Sequence, residues 1–547
     1  MEETEKKTLG FVAGPKMEIC VNNGNHVVAE SETREEIKRD LQSRHINMIA
    51  IAGMIGTGLF LSSGTAIATA GPAGALLAYI VMGFVTAGVS YTTGEITAFM
   101  PSTGGFVRHA THFVEPALGA ATGWNFWYTM AITVPAEISA AATVIQFWNG
   151  WVNPAVWISA FLVFIVALNF CGVKWYGESE VIFASLKIML IIGLIIGGLV
   201  LDLGGGPNHE RLGFRFWYSP GAFNSYIKAG PAGRFLAFFK VLLSAAFAYG
   251  NIQVVAISGA ETRNPRHIIP SATRKTFFRV FVFYVLSILV VGLIVPFDDE
   301  RLSISTGTAQ QSPFVIAFVR SGVSVVPSII NAVVATSAIS SGSACIFIAS
   351  RTLYGLSLDG HAPAIFLRCN RFGTPHYAVG MSCMLLPLVY LNVGHNTSVV
   401  FGWFVNITTV AGLIGWIVIQ ITYIRFHAGL KCQGYSRDDL PYRSSGQPYV
   451  SWATLLVLTL VVLFSGFDVF VAGRFTASGF LTIYLNIFIF AALYLFFKLF
   501  LHSRVIPLEQ IDFETEFVSI REWKEHAAEQ RVSDSARPWY RSMIHWI

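Results

Sequence analysis

Two ionisable side chains stand where packing alone has no use for them. Lys187, in SEVIFASLKIMLIIGLIIGG, lies about two and a half turns into an apolar run, and Glu137, in TVPAEISAA, follows Pro135 in the middle of another. A charge inside a bilayer costs about 2.5–3.5 kcal/mol on insertion scales, so such residues are candidates for carrying protons or holding a charged substrate. For Lys187 the alternative is a stem that snorkels back to the nearby start of its span. Glu137 either binds a proton or orients a substrate, or it is a structural carboxyl beside the carbonyl that Pro135 frees. Glu95, in GEITAFMP, falls near a span end, where an interfacial structural role suits it. Ser337, Ser340 and Ser341, in TSAISSGSA, form a polar seam on which at least one hydroxyl could lie near Lys187; small-residue packing explains the same seam.

A second kind of chemistry is offered by backbone. In NMIAIAGMIGTGLFLSSG, from Asn47 to Gly64, the glycines Gly53, Gly56 and Gly58 crowd the centre of an apolar span around Thr57. Each interior glycine costs a helix roughly 1 kcal/mol relative to alanine. The stretch FAYGNIQ, from Phe247 to Gln253, interrupts another span at Gly250 and Asn251. Paired interruptions five spans apart point to an inverted-repeat transporter with discontinuous first and sixth helices meeting at the midplane. Freed N–H groups at the start of a half-helix attract an anion, and freed carbonyls at the end of another take a cation. A zwitterion fits both. The competing explanation for GMIGTG is a face for close helix packing. A phosphate loop is excluded by the missing Lys-Ser/Thr and by the apolar setting.

No constellation suggests an enzyme, a cofactor or a resident metal. His109 and His112 are three apart on a basic segment without acidic or cysteine partners. The six cysteines (Cys20, Cys171, Cys345, Cys369, Cys383 and Cys432) are scattered singly, which gives no metal or disulfide framework. The sequon at Asn396 falls in a very short loop, and the one at Asn406 is inside a span and is chance.

The elements that must position these groups are membrane helices. The chain has 547 residues, 54% hydrophobic and 13% charged, with mean hydropathy +0.57, against roughly 25% charged for a soluble protein. Apolar runs and breakers give about twelve spans, near 46–69, 74–98, 117–148, 154–173, 178–201, 234–258, 276–297, 325–357, 377–394, 399–426, 450–470 and 478–501. The expectation is an all-α membrane protein with a disordered tail at 1–45, a transmembrane domain at 46–502 and a second tail at 503–547. Loops rich in Arg and Lys (101–116, 261–275, 350–373 and 425–443) alternate with others such as 298–301 and 202–228. The positive-inside rule then places the first set and both tails in the cytosol, and explains those charges without nucleic acid.

The stretches RHINMIAIAGMIGTGLFLSSGTAIATAGP, GEITAFMPSTGGF, PALGAATGWNFWYTMAI, PAEISAAATVIQFW, GAETRNPRHIIPSA and SRTLYGLSLDGHAPAIF stand in the order found in fungal amino-acid permeases of the amino acid, polyamine and organocation superfamily. Over about residues 44–505 the chain resembles that family. The resemblance implies a five-plus-five inverted repeat with two further helices, and proton-driven uptake of amino acids at the plasma membrane by alternating access. It implies that Ile55, Gly56, Thr57 and Gly58 hold the substrate carboxylate. It implies that the carbonyls of Phe247, Ala248 and Tyr249 hold the amino group, with the aromatic ring closing over the substrate, and it brings Asn251 into the same site. Lys187 matches a lysine that some superfamily members place against the opened first helix, and Glu137 matches a glutamate found in the third span of fungal permeases; both are proton-coupling candidates. The chain departs from pattern after Tyr249: it reads Gly250, Asn251, Ile252, Gln253 where the family commonly has a small residue, glycine, Ser or Thr, and an acid, so the glycine is shifted by one. Gln253 in place of that acid argues against a polycationic substrate. Exchange, a proline or polyamine permease, and a non-transporting amino-acid sensor are the alternatives to import.

Overall fold

The computed structural model describes residues 48, 56–102, 104–148, 151–170, 173–254, 265–303, 312–323, 325–370, 373–394 and 397–535. Gly53, Ile55, Cys20, Cys171, Asn396 and the 1–45 segment lie outside the described residues. The described residues form helices and no strand. Nine of these helices are long and apolar enough to cross a bilayer. They are α1 (Gly58–Phe99), α3 (Pro116–Ile145), α5 (Val173–Asp202), α6 (Pro231–Ala248), α7 (Pro265–Ile294), α9 (Val326–Leu358), α10 (His376–Val393), α11 (Thr397–Cys432) and α13 (Ala477–Phe500). The shorter apolar helices α4 (Pro154–Phe170) and α12 (Tyr449–Phe464) accompany them, with α2 (Phe106–Phe113), α8 (Pro313–Arg320) and α14 (Glu514–Ser535) outside the spans.

Two of the expected spans, 46–69 and 74–98, meet within α1. Its first turn, Gly58–Ser62, is π-helical, and its backbone leaves helical geometry at Gly71 (φ 75, ψ 171), beside Pro72. Proline removes a donor there, so nearby carbonyls need other partners. The 202–228 segment supplies them. The Asn224 side chain donates to Ala68 O at 2.8 Å, and its backbone N–H donates to Ala70 O at 3.0 Å. A side chain at Gly71 would meet Ala222 O at 2.8 Å and would have to adopt a left-handed φ.

The core runs along α3, which packs against α9 and α11, while α1 packs against α6 and α7. α3 is buried over 89% of its apolar window and α13 over only 22%. A helix buried on every side needs small residues for close approach, which accounts for the Ala, Gly and Thr content of α3.

At the end of the bundle carrying α2, residues of the C-terminal tail from 503 add to the packing. Ile511, Phe513, Phe517 and Ile520 are buried with Phe99, Phe113 and Phe426. Such aromatic burial outweighs the entropy of a free tail. Beside this cluster Glu95 is fully buried, and Arg437 donates to both of its oxygens, at 2.8 and 2.9 Å from Nη2. The Ser444 amide adds a bond at 2.8 Å. Removing one partner of a buried pair strands the other, at about 3 kcal/mol. Glu95→Ala should therefore lower the thermal unfolding midpoint in detergent without changing substrate affinity. An unchanged midpoint would show that this fork carries no stability.

Candidate functional site

The site forms where the start of α1 meets the end of α6. Gly58 packs so closely on α6 that a Cβ would lie 2.9 Å from the Ala248 Cα and 3.0 Å from the Phe247 ring. The packing explanation of GMIGTG therefore holds at this glycine. Gly56 answers to something else. A Cβ there would lie 2.5 Å from Glu137 Oε1 and 3.2 Å from Ser341 Oγ. The start of α1 thus faces a carboxyl supplied by α3.

α6 ends at Ala248, and the chain turns through Asn251, whose φ of 66° is left-handed. Asparagine tolerates that region better than other non-glycine residues, so the glycine shifted to position 250 is no loss at this turn. A cavity opens beside the turn with about 560 Å3 of atom-free space, part of it continuous with the outside. Gly56, Gly58, Phe247, Ala248 and Asn251 line it, as does Glu137, the lone ionisable side chain among its lining residues. Thr57 is fully buried next to it.

Tyr249 does not line this cavity. Residues two apart on a helix point about 200° apart, so with Phe247 on the cavity side Tyr249 turns away. Its ring packs on Tyr284 at 4.9 Å and Tyr79 at 6.2 Å. The ring at the site is that of Phe247, in edge contact with Phe401 at 6.3 Å. Gln253 lines the cavity and accepts from Trp416 Nε1 at 2.8 Å, which fixes its oxygen and presents an amide where the family commonly has an acid. Thr129, Thr133, Thr408 and Thr409 also line it. Sequence reading missed these residues because all sit on apolar helices whose facing side chains periodicity does not order.

Behind the cavity lies a buried ionic cluster. Glu137 is 3% exposed, and its Oε1 accepts from Ser341 Oγ at 3.1 Å. The Thr57 backbone and hydroxyl face the same carboxyl, yet Thr57 Oγ1 and Glu137 Oε2 make no hydrogen bond. Lys187 is 1% exposed, which excludes a snorkelled position at the surface. Its ammonium is attracted by Glu137 and, more strongly, by Glu180. Glu180 is fully buried and accepts from Ser340 Oγ at 2.8 Å. Adjacent serines of the seam in α9 thus each hold one acid. Glu180 escaped sequence reading because it falls near the start of its span, where a carboxylate ordinarily reaches water. Its spacing of seven residues from Lys187, two helical turns on one face, was the available signal.

The two histidines of α2 go to separate backbone carbonyls, His109 Nε2 to Met100 O and His112 Nε2 to Asp512 O, both at 2.9 Å. Burial pushes the His109 imidazole down from 6.5 to about 4, aided by His112 and Arg108 and opposed by the bond to Met100. The unfolded chain therefore takes up this proton at higher pH than the folded one. Stability contributed by neutral His109 is whole above pH 6.5 and declines toward pH 4, by at most about 3 kcal/mol. His109→Gln should flatten the fall in unfolding midpoint between pH 7 and 5. An equally steep fall in the variant would assign it to other groups.

Apolar helices enclosing a polar cavity, with a buried acid–lysine cluster behind it, define a multi-span membrane transporter. A manganese transporter of Eremococcus coleocola, solved with an aromatic bis-isothiourea substituted compound, shares the fold at a TM-score of 0.50 and 13% identity, covering 87% of this chain and 95% of that one. The family model described as amino acid permease matches residues 45–506. A proline-specific permease of Emericella nidulans is 39% identical, covering 97% of both chains. A dicarboxylic amino acid permease of Saccharomyces cerevisiae is 38% identical, covering 88% of this chain and 80% of its own length. A lysine-specific permease of the same yeast is 38% identical, covering 88% and 79%. The chain belongs to the amino acid permease family, whose members carry amino acids across membranes.

Proposed function

We propose that the protein imports amino acids across the plasma membrane in symport with protons, by alternating access, with both termini in the cytosol. One observation carries this reading: the opened start of α1 and the broken end of α6 share a cavity, and Glu137 closes on Gly56 at its edge. An ionised Glu137 there competes with a substrate carboxylate for the positive start of a half-helix. Protonating Glu137 removes that repulsion, so proton and substrate bind together. Ile55, Gly56, Thr57 and Gly58 are the proposed carboxylate side, and the carbonyls of Phe247, Ala248 and Tyr249, with Asn251, the amino side. Lys187 is the proposed second coupling group.

A twelve-helix arrangement with a five-plus-five inverted repeat is supported by the pairing of helices. The expected second and seventh spans pack together as α1 on α7, and the third and eighth as α3 on α9. A two-fold relation between halves brings corresponding helices together in this way.

The side-chain end of the cavity favours an uncharged substrate, since Gln253 offers an amide and Glu137 is engaged by Ser341. Proline is the first substrate to test, given the proline-specific relative matched over 97% of both chains. Identity alone does not choose, because lysine and dicarboxylic permeases stand at 38%. Purified protein in proteoliposomes with an imposed pH gradient should accumulate radiolabelled proline or another neutral amino acid. Lysine and glutamate should compete weakly. Binding without flux would make the protein a sensor, and equal competition by lysine would overturn the uncharged-substrate reading.

Glu137→Gln keeps volume but loses the titratable proton. Its uptake should lose the acid optimum and fall in maximal rate about a hundredfold or more, in the usual range for a missing proton-transfer group. An unchanged pH profile and affinity would remove Glu137 from the mechanism.

A further inference from the structure

Glu180 is a buried carboxyl with no place in the site as described so far. It does not line the cavity, and its Oε1 has no hydrogen-bond partner among the described residues. Glu137 shares this pattern, with Oε2 unpartnered and Oε1 on a serine. The two acids are held by neighbouring hydroxyls, Ser341 for Glu137 and Ser340 for Glu180, and one ammonium, Lys187, is attracted by both. Fully ionised, the three groups sum to one negative charge, in a place where unbalanced charge is costly. One added proton makes the cluster neutral. The two unpartnered oxygens are places for it.

We propose that Glu180 is the second station of the transported proton, which passes from Glu137 at the cavity to Glu180 behind it by way of Lys187. This rests on the proton-coupled reading above and adds the group that takes the proton from the substrate side. In the loaded state Glu137 is a carboxylic acid, Lys187 an ammonium and Glu180 a carboxylate. An N–H bond of Lys187 breaks as an O–H bond forms on Glu180. The O–H bond of Glu137 then breaks as the N–H bond of Lys187 is remade. The cluster stays neutral throughout, no electron changes hands, and Glu137 is left ionised against the start of α1, where it expels the substrate carboxylate. Glu180 lies two turns, about 10 Å, nearer the Val173 end of α5 than Lys187, so the transfer moves charge along the helix axis.

The surroundings leave few other groups to titrate. α3 contributes Glu137 and α9 contributes the buried thiol of Cys345. On α5 itself Glu178 is half-buried. α7 carries Tyr284, close enough to interact with Glu137, while Arg274, Lys275 and Arg279 are exposed, as is Arg320 of α8. α4 has no ionisable side chain.

The test compares wild type, Glu180→Gln and Glu180→Asp in proteoliposomes carrying an internal pH dye. Two readouts are taken: accumulation under an imposed pH gradient, and counterflow exchange without one. At one proton per substrate, each pH unit supports up to about tenfold accumulation. Wild type should approach this and acidify the lumen. Glu180→Gln should equilibrate substrate without concentrating it, with counterflow retained, and Glu180→Asp should regain gradient-driven accumulation. If Glu180→Gln concentrates substrate as wild type does, the proposal is overturned while proton coupling stands. Parallel loss of counterflow and accumulation in both variants would make Glu180 a structural residue and overturn it too. If wild type moves substrate without acidifying the lumen, the symport reading fails and takes the relay with it.

Discussion

Lys187→Ala should abolish uphill accumulation while leaving exchange of bound substrate in place. The ammonium is buried and attracted by two buried acids, Glu180 and Glu137, and charge buried without its partner is costly. Removing it leaves Glu137 and Glu180 with no group to pass a proton between them. With one proton per substrate, a one-unit pH gradient is worth about 1.4 kcal/mol, or about tenfold in concentration. The alanine variant should lose that factor entirely and settle at equal concentrations on the two sides. Lys187→Arg should fail as well, because guanidinium keeps its proton at any physiological pH and so cannot relay one. Accumulation of labelled amino acid under an imposed pH gradient decides the matter. Gradient-driven concentration by the alanine variant would return Lys187 to a purely structural role.

Gly58→Val and Gly56→Val should each abolish uptake in protein that still reaches the membrane, for different reasons. At Gly58 the obstacle is backbone: even a Cβ meets Ala248 Cα at 2.9 Å, so α1 and α6 must separate. Backbone yields poorly, and small-to-large changes in such contacts cost about 1–3 kcal/mol before function is considered. At Gly56 the obstacle is the Glu137 carboxyl at 2.5 Å, a side chain that can swing aside. Gly56→Ala should therefore fold nearly as well as wild type yet show a displaced pH optimum, because Glu137 no longer sits against the start of α1. Gly58→Ala should lose stability without that displacement. Thermal unfolding and the pH profile of uptake, measured on both alanine variants, separate the two. If the two behave alike, the two glycines do one job, and it is packing.

The sequence was sufficient for what depends on local composition. Length of apolar runs sets the membrane class, because a bilayer admits only backbone that satisfies itself within helices. Glycine within an apolar run marked the end of α6 at FAYGNIQ, since the cost of a glycine is local. Lys187 and Glu137 stood out because charge in an apolar run is costly wherever the run ends up. The assignment to fungal amino-acid permeases followed from motifs in order, and the family match over residues 45–506 agrees.

Facing was beyond the sequence. Phe247 and Tyr249 read alike as aromatic residues at a helix end, but only packing shows that the first lines the cavity and the second is spent on Tyr79 and Tyr284. The segment from 503 reads only as a second tail, and it is the aromatic cluster around Phe99 and Phe426 that buries part of it. Glu180, near the start of a span, drew no notice in the sequence, and it becomes one of three buried charges only when α5 is set against α9. Which glycine serves packing and which faces a carboxyl was likewise decided by neighbours, α6 for Gly58 and α3 for Gly56. The physical reason is common to all four. Hydrophobicity and backbone preference belong to a residue and its near neighbours in the chain, whereas burial, charge pairing and contact belong to helices that are distant in sequence and meet only in the folded bundle.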